Sequence, residues 1–360
     1  MTVAKGMGRA SLSPESDTMT DTYKTLYLTE RGQFHQERAL TAAPPELDIV
    51  MLRQPSPQEL APHLPGTVYL ISERTGVIDA DMLAAMPNLK LILRLGSMTH
   101  DIDLDAARRA GVIVCYQPMV GVIRVAEHVF MQMLALAKRL HDAEATAIAA
   151  STQWGESRRT DEDTFAYNWS NRQGIDQLYQ RTVGILGFGE IGVELARRLA
   201  GWGCDVLYNK RRPLPDELEM ALGMRYAERD ELIATSDYLV NLLPYSSHTD
   251  MSLDAVVFAA MKPGAFVVSV GSGSVIDEAA LAEAIRTGKL AGAALDTYEW
   301  EPIQADNPLI ELARAGDNVI LTPHTAAGSY TAQIEDRERA EDYVKIVQHM
   351  HGKPVDNRLV

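Results

Sequence analysis

The sequence is poor in cysteine and carries no excess of positive charge. Cys115 and Cys204 are the two cysteines in 360 residues. A disulfide-stabilised secreted scaffold is therefore excluded, and two reduced thiols in a cytoplasmic protein are expected. Lys and Arg number 34 against 49 Asp and Glu, which gives a formal charge of −15. Nucleic-acid binding needs a basic face, so no nucleic-acid partner is expected.

Long apolar runs are also scarce. None reaches the ~18 residues that a membrane helix needs, so no membrane partner is expected. Residues 1–22 are rich in Ser, Thr and Asp and lack the apolar centre of a signal peptide. They are predicted to form a disordered tail, and whether translation starts at Met1 or Met19 stays open. The length of the remaining chain is typical of two domains.

Short apolar segments alternate with helical patterns along the first part of the chain. The predicted strands are residues 23–29, 47–53, 67–72, 89–94 and 112–116. Such alternation predicts a parallel sheet covered by helices. Residues 125–140 are apolar nearly all round, which predicts a buried or interface helix. A polar insertion follows at 155–180 and is interpreted as a long loop that covers some other part of the molecule.

A second strand–helix series begins at residue 182. Its predicted strands are residues 182–186, 205–209, 238–243, 265–270, 292–295 and 318–321. The pattern predicts a doubly wound sheet of about six strands. A last helix, predicted at 332–349, is expected to pack back on the first domain. The domains are therefore predicted as 23–123 plus 325–360, and 124–324.

A glycine-rich motif follows the first strand of this second series. It consists of Gly187, Phe188, Gly189, Glu190, Ile191 and Gly192. The first glycine permits a tight turn, the second lets a pyrophosphate approach the backbone, and the third lets helix and strand pack closely. The following helix supplies free amides and a partial positive charge. The motif in this context predicts dinucleotide binding.

The end of the next strand indicates which dinucleotide is bound. NAD-binding proteins usually carry an acidic residue there, which holds the ribose 2′-hydroxyl. This chain instead has Asn209, Lys210, Arg211 and Arg212. Arginine pairs with phosphate in bidentate geometry, so NADP(H) is predicted over NAD(H). A solvated basic loop is the alternative.

Two titratable residues follow the last two predicted strands. Glu301 comes after strand 292–295, and His324 comes directly after strand 318–321. Ligands of doubly wound sheets bind at the carboxyl ends of the strands, so both are expected beside the nicotinamide. A carboxylate orients an imidazole, whose other nitrogen then transfers protons near neutral pH. The pair predicts an acid–base centre, with a purely structural histidine as the alternative.

Further motifs occur in a consistent order along the chain. They are residues 87–92, 102–104, 125–128, 261–264 and 276–278, together with the glycine-rich motif and the Glu301 and His324 segments. From about residue 47 to 354, the sequence resembles the D-isomer-specific 2-hydroxyacid dehydrogenases, which include glyoxylate/hydroxypyruvate reductases, phosphoglycerate dehydrogenase and D-lactate dehydrogenase. The resemblance implies two doubly wound α/β domains: a Rossmann dinucleotide-binding domain and a flavodoxin-like substrate domain.

The resemblance also implies individual roles. His324 protonates the carbonyl oxygen of a 2-keto acid as hydride leaves the nicotinamide, and Glu301 holds His324. Asp296 contacts the carboxamide region of the nicotinamide. The backbone amides of Gly96, Ser97 and Met98 grip the substrate carboxylate. The residues implied to line the cofactor are Leu243, Pro244, Thr249, Val270 and Gly271. Such enzymes are typically homodimers with the linker helix at the interface, and no metal site is expected.

One departure from the family pattern concerns substrate binding. The family has an arginine that binds the substrate carboxylate, and alignment places Ser272 at its position. A charged hydrogen bond contributes about 1.5–3 kcal/mol, which a serine hydroxyl does not replace. Met98 also stands where the family favours a second glycine, so a reshaped pocket floor is expected.

Three explanations for the missing arginine stay open. In the first, Arg124 or Arg94 takes over the role of the missing arginine. Arg124 is the candidate for binding the substrate, and the alternative interpretation of Arg124 is an ordinary surface arginine. Or the substrate is not a simple 2-keto acid, and the insertion and Trp300 shape a different pocket. Or the protein binds its cofactor without turnover, as a nucleotide sensor or corepressor-like protein. The retained Glu301 and His324 favour an enzyme over a sensor.

Overall fold

The computed structural model describes residues 22–73, 76–328 and 332–360. The disordered tail predicted for 1–22 lies, apart from Thr22, outside these residues. Two parallel β-sheets, of five and seven strands, organise the described chain. The predicted class of two doubly wound α/β domains is confirmed.

The first sheet has the strand order β2-β1-β3-β4-β5. Its strands are β1 (Tyr23–Thr29), β2 (Leu47–Arg53), β3 (Tyr69–Glu73), β4 (Leu91–Leu95) and β5 (Ile113–Gln117). Its helices are α1 (Gln33–Thr41), α2 (Pro57–Leu60), α3 (Ala80–Ala84) and α4 (Leu104–Arg109). Asp79 and Asp103 accept backbone N–H groups at the starts of α3 and α4, which explains where these helices begin. The order is that of flavodoxin-like sheets.

Two consecutive helices, α5 (Val120–Lys138) and α6 (Leu140–Ala149), leave the first sheet. The predicted single helix at 125–140 is therefore longer at its start and continues into a second helix after Arg139, whose φ is +48°. The expectation that no segment is long and apolar enough to cross a membrane is wrong for α5, which by length and composition is such a helix. Of its most apolar 18-residue window, 44% is buried inside the protein. It packs along α7 (Glu190–Leu199), as a core helix does.

The second sheet has the order β12-β11-β10-β9-β6-β7-β8. Its strands are β6 (Thr182–Leu186), β7 (Asp205–Asn209), β8 (Met224–Tyr226), β9 (Tyr238–Asn241), β10 (Ala265–Ser269), β11 (Leu290–Leu295) and β12 (Val319–Leu321). Its remaining helices are α8 (Asp216–Leu222), α9 (Arg229–Thr235), α10 (Ala255–Ala260), α11 (Glu278–Arg286) and α12 (Pro308–Ala315). The sheet thus has one strand more than predicted: β8, with only three residues at the edge, is too short to show a pattern.

The C-terminal segment packs on the first sheet as two helices, where one was predicted. They are α13 (Ala332–Glu341) and α14 (Val344–Met350). Tyr343 and Ile346 are buried in one cluster with Tyr27 and Leu93 of that sheet. The Tyr343 hydroxyl donates to the carbonyl oxygen of Ala39 at 2.6 Å. The chain therefore returns to the first domain after completing the second.

Candidate active site

The glycine-rich turn has the geometry of a dinucleotide cradle. Gly187 has φ +83°, and a Cβ there would lie 2.9 Å from the backbone of Leu242. A Cβ on Gly189 would meet nothing within 4 Å, whereas one on Gly192 would lie 2.7 Å from the ring of Phe188. No side chain caps the start of α7. The open space above Gly189 and these uncapped amides fit a bound pyrophosphate.

The basic cluster lies next to this turn, because the N–H of Gly187 donates to the carbonyl oxygen of Asn209 at 3.0 Å. The amide of Asn209 donates to Ala227 at 2.9 Å and anchors the strand end. Arg211 and Arg212 are exposed, whereas Lys210 is partly buried. Burial lowers the pKa of the Lys210 ammonium, although the carboxylates of Asp101 and Glu190 oppose this shift. The exposed guanidinium groups of Arg211 and Arg212 are therefore the cations of this cluster that can pair with an anionic ligand.

The turn after β9 lies beside the glycine-rich turn, since the N–H of Leu242 donates to the carbonyl oxygen of Leu186 at 2.8 Å. Its shape depends on Thr249, whose hydroxyl donates to the carbonyl oxygen of Pro244 at 2.7 Å and accepts the N–H of Ser246 at 2.8 Å. The N–H of Leu243 donates to the side chain of Asn241 at 3.1 Å. Leu243 and Pro244 thus extend from a strand end that is adjacent to the glycine-rich turn.

Glu301 and His324 meet, as their positions after β11 and β12 predict. The Nδ1 atom of His324 lies 2.7 Å from Oε2 of Glu301. The other carboxylate oxygen, Oε1, accepts the backbone N–H of Tyr298 at 3.1 Å and so fixes the glutamate. The imidazole is 59% exposed. Among the described residues, the hydrogen-bond partner of the imidazole is Glu301, and the bond is made through Nδ1. Nε2 is therefore the ring nitrogen that faces a substrate.

Asp296 anchors the loop that carries His324. Its carboxylate is fully buried. It accepts the Thr322 hydroxyl at 2.6 Å and the N–H groups of Thr325 and Ala326 at 2.9 and 2.8 Å. These bonds lie on both sides of His324, whose φ is +53°. Asp296 therefore determines where the imidazole stands, in addition to the nicotinamide contact that the resemblance implies.

His128, which belongs to one of the motifs but received no predicted role, supports this anchor from α5. Its Nε2 lies 3.1 Å from the Thr322 hydroxyl and 3.6 Å from Oδ1 of Asp296. Burial lowers the pKa of His128, although the charge of Asp296 opposes this shift. The sequence shows the motif that contains His128, but it does not show the contact with Thr322, which lies 194 residues away.

Ser272 lies on the short segment after β10, which also carries Val270 and Gly271. Its N–H donates to Leu243 at 2.9 Å, and its hydroxyl lies 3.4 Å from that of Ser274. The Thr297 hydroxyl donates to Gly271 at 2.7 Å. This segment therefore packs directly against the start of the Glu301 loop. At the position where the family has its substrate-binding arginine, this chain therefore has the small, uncharged hydroxyl group of Ser272.

The loop predicted to hold the substrate carboxylate contacts a carboxylate of the chain itself. The N–H groups of Ser97 and Met98 donate to Oε2 and Oε1 of Glu190 at 2.5 and 3.2 Å. The Ser97 hydroxyl donates to Glu194 at 2.7 Å. A Cβ on Gly96 would collide with Oε1 of Glu190. The glycine-rich motif predicts that Glu190 lies at the cofactor, and no sequence signal indicates this contact between domains.

The two arginines considered as substitutes are both engaged elsewhere. Arg94, only 1% exposed, donates to the carbonyl oxygen of Met98 at 2.9 Å and pairs with Asp101 at 2.9 Å. Arg124 pairs with Glu338 at 2.7 Å and donates to Ala327 at 3.4 Å. Arg124 thus lies beside the loop that follows His324, with its charge directed to Glu338.

The polar insertion at 155–180 follows a short 3-10 turn and has an irregular backbone. It packs on α5 and α6. Arg172 pairs with Asp142 of α6, and the N–H of Asp176 donates to Ala137 of α5 at 2.7 Å. Trp154 and Trp169 contact each other edge to face. The described part of the chain holds no group of three His, Cys, Asp or Glu side chains that could bind a metal ion.

Comparison with known proteins agrees with this geometry. Residues 130–326 match the family model described as D-isomer specific 2-hydroxyacid dehydrogenase, NAD binding domain. A glyoxylate reductase of Thermococcus onnurineus is 35% identical over 266 residues, covering 74% of both chains. The chain belongs to the D-isomer-specific 2-hydroxyacid dehydrogenase family.

One further relative and one solved structure show how far the similarity extends. A D-3-phosphoglycerate dehydrogenase of Archaeoglobus fulgidus is 33% identical over 87% of this chain, which spans 55% of that protein. The PH0520 protein of Pyrococcus horikoshii OT3 has a similar structure, with a TM-score of 0.55, 26% identity and coverage of 94% and 95% of the two chains. The fold is therefore shared over nearly the whole chain, although the chain spans about half the length of the phosphoglycerate dehydrogenase.

Proposed function

We propose that this protein transfers a hydride between NADP(H) and a small 2-keto or 2-hydroxy acid, with His324 as the general acid and base. The hydrogen bond of 2.7 Å between His324 and Glu301, on loops that follow strands of the same parallel sheet as the dinucleotide cradle, carries the proposal. The nicotinamide, when bound, supplies or accepts the hydride. During reduction, Nε2 of His324 gives a proton to the carbonyl oxygen; during oxidation it removes the proton from the hydroxyl group.

The proposed preference for NADP(H) is supported by the basic cluster beside the glycine-rich turn. Arg211 and Arg212 are exposed, and no acidic residue follows β7 where NAD-binding proteins hold the ribose hydroxyl. The residues proposed to hold the dinucleotide are the backbone of 187–191, Asn209, Lys210, Arg211, Arg212, Leu243, Pro244, Thr249, Val270, Gly271 and Asp296. NAD(H) is the second choice.

The experiment is a turnover assay, in which the absorbance of NADPH or NADH is followed with glyoxylate, hydroxypyruvate, pyruvate and phenylpyruvate. The first two are the leading candidates because relatives are named glyoxylate reductase and glyoxylate/hydroxypyruvate reductase. Oxidation of NADPH with any of these acids is the expected result. Tight NADPH binding without turnover would contradict the proposal.

A nucleotide-sensing role is the second candidate. Two observations favour it: Ser272 brings no positive charge to the substrate side, and Glu190 contacts the loop amides proposed for the substrate carboxylate. A sensor needs no acid–base pair, however, and the pair is intact. The turnover assay separates the two functions, because a sensor binds NADPH but does not oxidise it.

We also propose that the protein is a homodimer in the cytoplasm, without nucleic-acid or membrane partners. Support for the dimer comes from the outer face of α5 and α6. Met131, Leu140 and Ile148 are exposed there, α6 buries no residue, and an apolar cavity of about 500 Å³ opens between the end of α5 and Arg198. Light scattering on Ile148→Glu should give more monomer than on wild type, and the exposed change Gln58→Glu on α2, which adds the same charge, should not.

A further inference from the structure

The loop after β4 directs two consecutive backbone N–H groups at one carboxylate. The amides of Ser97 and Met98 bind the two oxygens of Glu190 separately, at 2.5 and 3.2 Å. Successive backbone amides that converge in this way form an anion-binding concavity. In this structure the concavity is occupied by Glu190, a residue of the same chain that is 8% exposed.

The rest of the loop is arranged to permit this contact. Gly96 has φ +134°, and any side chain there would collide with the Glu190 carboxylate. Behind the loop, the buried guanidinium of Arg94 holds the carbonyl oxygen of Met98 and the carboxylate of Asp101. The residues that shape the concavity thus all belong to the substrate domain, whereas the carboxylate that fills it belongs to the nucleotide domain.

We propose that Glu190 is an internal competitor for the anion site of this loop, so that a substrate carboxylate binds there only after Glu190 has left. The two N–H groups already serve both oxygens of one carboxylate, and a second carboxylate at the same place would meet its charge at contact distance. That the entering anion is a 2-keto acid rests on the proposed function.

The contact crosses the crevice between the domains. Glu190 lies in the first turn of α7, in the nucleotide domain, whereas the loop belongs to the substrate domain. Glu194, one turn later, accepts the Ser97 hydroxyl and is paired with Arg197 and Arg198 at 2.7 and 2.9 Å. Exchange of Glu190 for a substrate carboxylate therefore couples substrate binding to the contact between the two domains.

Oxamate, a carboxylate that resembles a 2-keto acid but is not reduced, tests the competition directly. Isothermal titration calorimetry measures its dissociation constant with the full chain saturated with NADPH. Glu190→Ala is expected to bind oxamate at least about tenfold more tightly than wild type, because the loop amides are then free. Glu190→Asp keeps the charge but shortens the side chain, and should bind with an affinity between the two.

A matched control separates competition from simple charge. Glu283→Gln removes one exposed carboxylate from α11 of the same domain and should leave the dissociation constant unchanged. The tightening in Glu190→Ala should also persist at high salt, where long-range charge effects are screened. Equal affinities of wild type and Glu190→Ala, tightening that disappears at high salt, or no oxamate binding by either protein would overturn the proposal.

The titration does not depend on turnover. Tighter oxamate binding by Glu190→Ala in a protein that reduces no keto acid would contradict the proposed reaction and support the internal competitor. Turnover combined with equal oxamate affinities of wild type and Glu190→Ala would support the proposed reaction and contradict the internal competitor.

Discussion

Asp296 accepts the backbone N–H of Thr325 at 2.9 Å, one residue after His324. The buried carboxylate thus positions the imidazole through the backbone of its loop. Glu301 acts on the ring itself, through its contact with Nδ1. Two carboxylates that follow the same strand therefore have different roles, since Asp296 fixes the loop and Glu301 orients the ring.

Asp296→Ala should destabilise the protein and lower its activity. The substitution leaves the Thr325 and Ala326 amides without their acceptor, and it leaves the Thr322 hydroxyl with only the longer bond, of 3.4 Å, to the carbonyl oxygen of Leu295. An unsatisfied buried donor costs about 1–3 kcal/mol. Urea denaturation measures the free energy of unfolding. Asp306→Asn, an exposed change in the same domain, is the control, and equal stability of both variants would refute the anchoring role.

His324→Asn should lower kcat for keto-acid reduction by about 10²–10⁴-fold, the usual contribution of a general acid. Glu301→Gln should lower it less, because the ring remains but loses its charged partner. If Glu301 acts only through His324, adding Glu301→Gln to His324→Asn should change kcat little further. The exposed change His351→Asn should leave kcat as in wild type. Additive losses in the double variant would show that Glu301 has a second role.

The double change Arg211→Ala and Arg212→Ala should weaken NADPH binding by about tenfold or more, since each charged hydrogen bond to a phosphate contributes about 1.5–3 kcal/mol. NADH binding should hardly change, because it lacks the 2′-phosphate. Fluorescence titration of both cofactors gives the two dissociation constants. Arg286→Ala, an exposed arginine of α11, controls for net charge. A parallel loss for both cofactors would contradict the predicted preference.

Asp342 should make stability depend on pH. It follows α13 and lies 3.0 Å from Arg339, which also reaches Glu73 at 3.4 Å. Burial raises the pKa of Asp342 from 3.8 to about 7, with the charge of Glu73 adding to the shift and Arg339 opposing it. The folded state therefore holds the proton more tightly than the unfolded state. The resulting stabilisation is complete below pH 3.8 and is lost as the pH rises through about 7.

The comparison with Asp342→Asn isolates this effect from all other titrating groups. The stability of wild type minus that of the variant should fall between about pH 4 and pH 7 and stay constant above it. Thermal unfolding of both proteins across this range provides the measurement. A difference that rises with pH would mean that Arg339 holds Asp342 in its charged form.

Local sequence patterns were sufficient to predict the two α/β domains, the dinucleotide turn and the partnership of Glu301 with His324. These patterns are apolar strands of regular length, glycines at fixed spacing, and polar residues directly after strands. Because parallel strands end at one edge of a sheet, residues after neighbouring strands meet without further information. The edge strand β8 escaped because three residues show no periodicity.

The partners of charged side chains that meet across the two domains depend on the tertiary structure alone. Glu190 and Ser97 are 93 residues apart and belong to different domains, and Arg124 and Glu338 are 214 residues apart. Such contacts depend on how the two sheets are placed against each other. A carboxylate in a glycine-rich turn has the same local sequence whether it faces solvent, a cofactor or a loop of the other domain. Its partner is determined by packing over long distances in sequence, which no local pattern records.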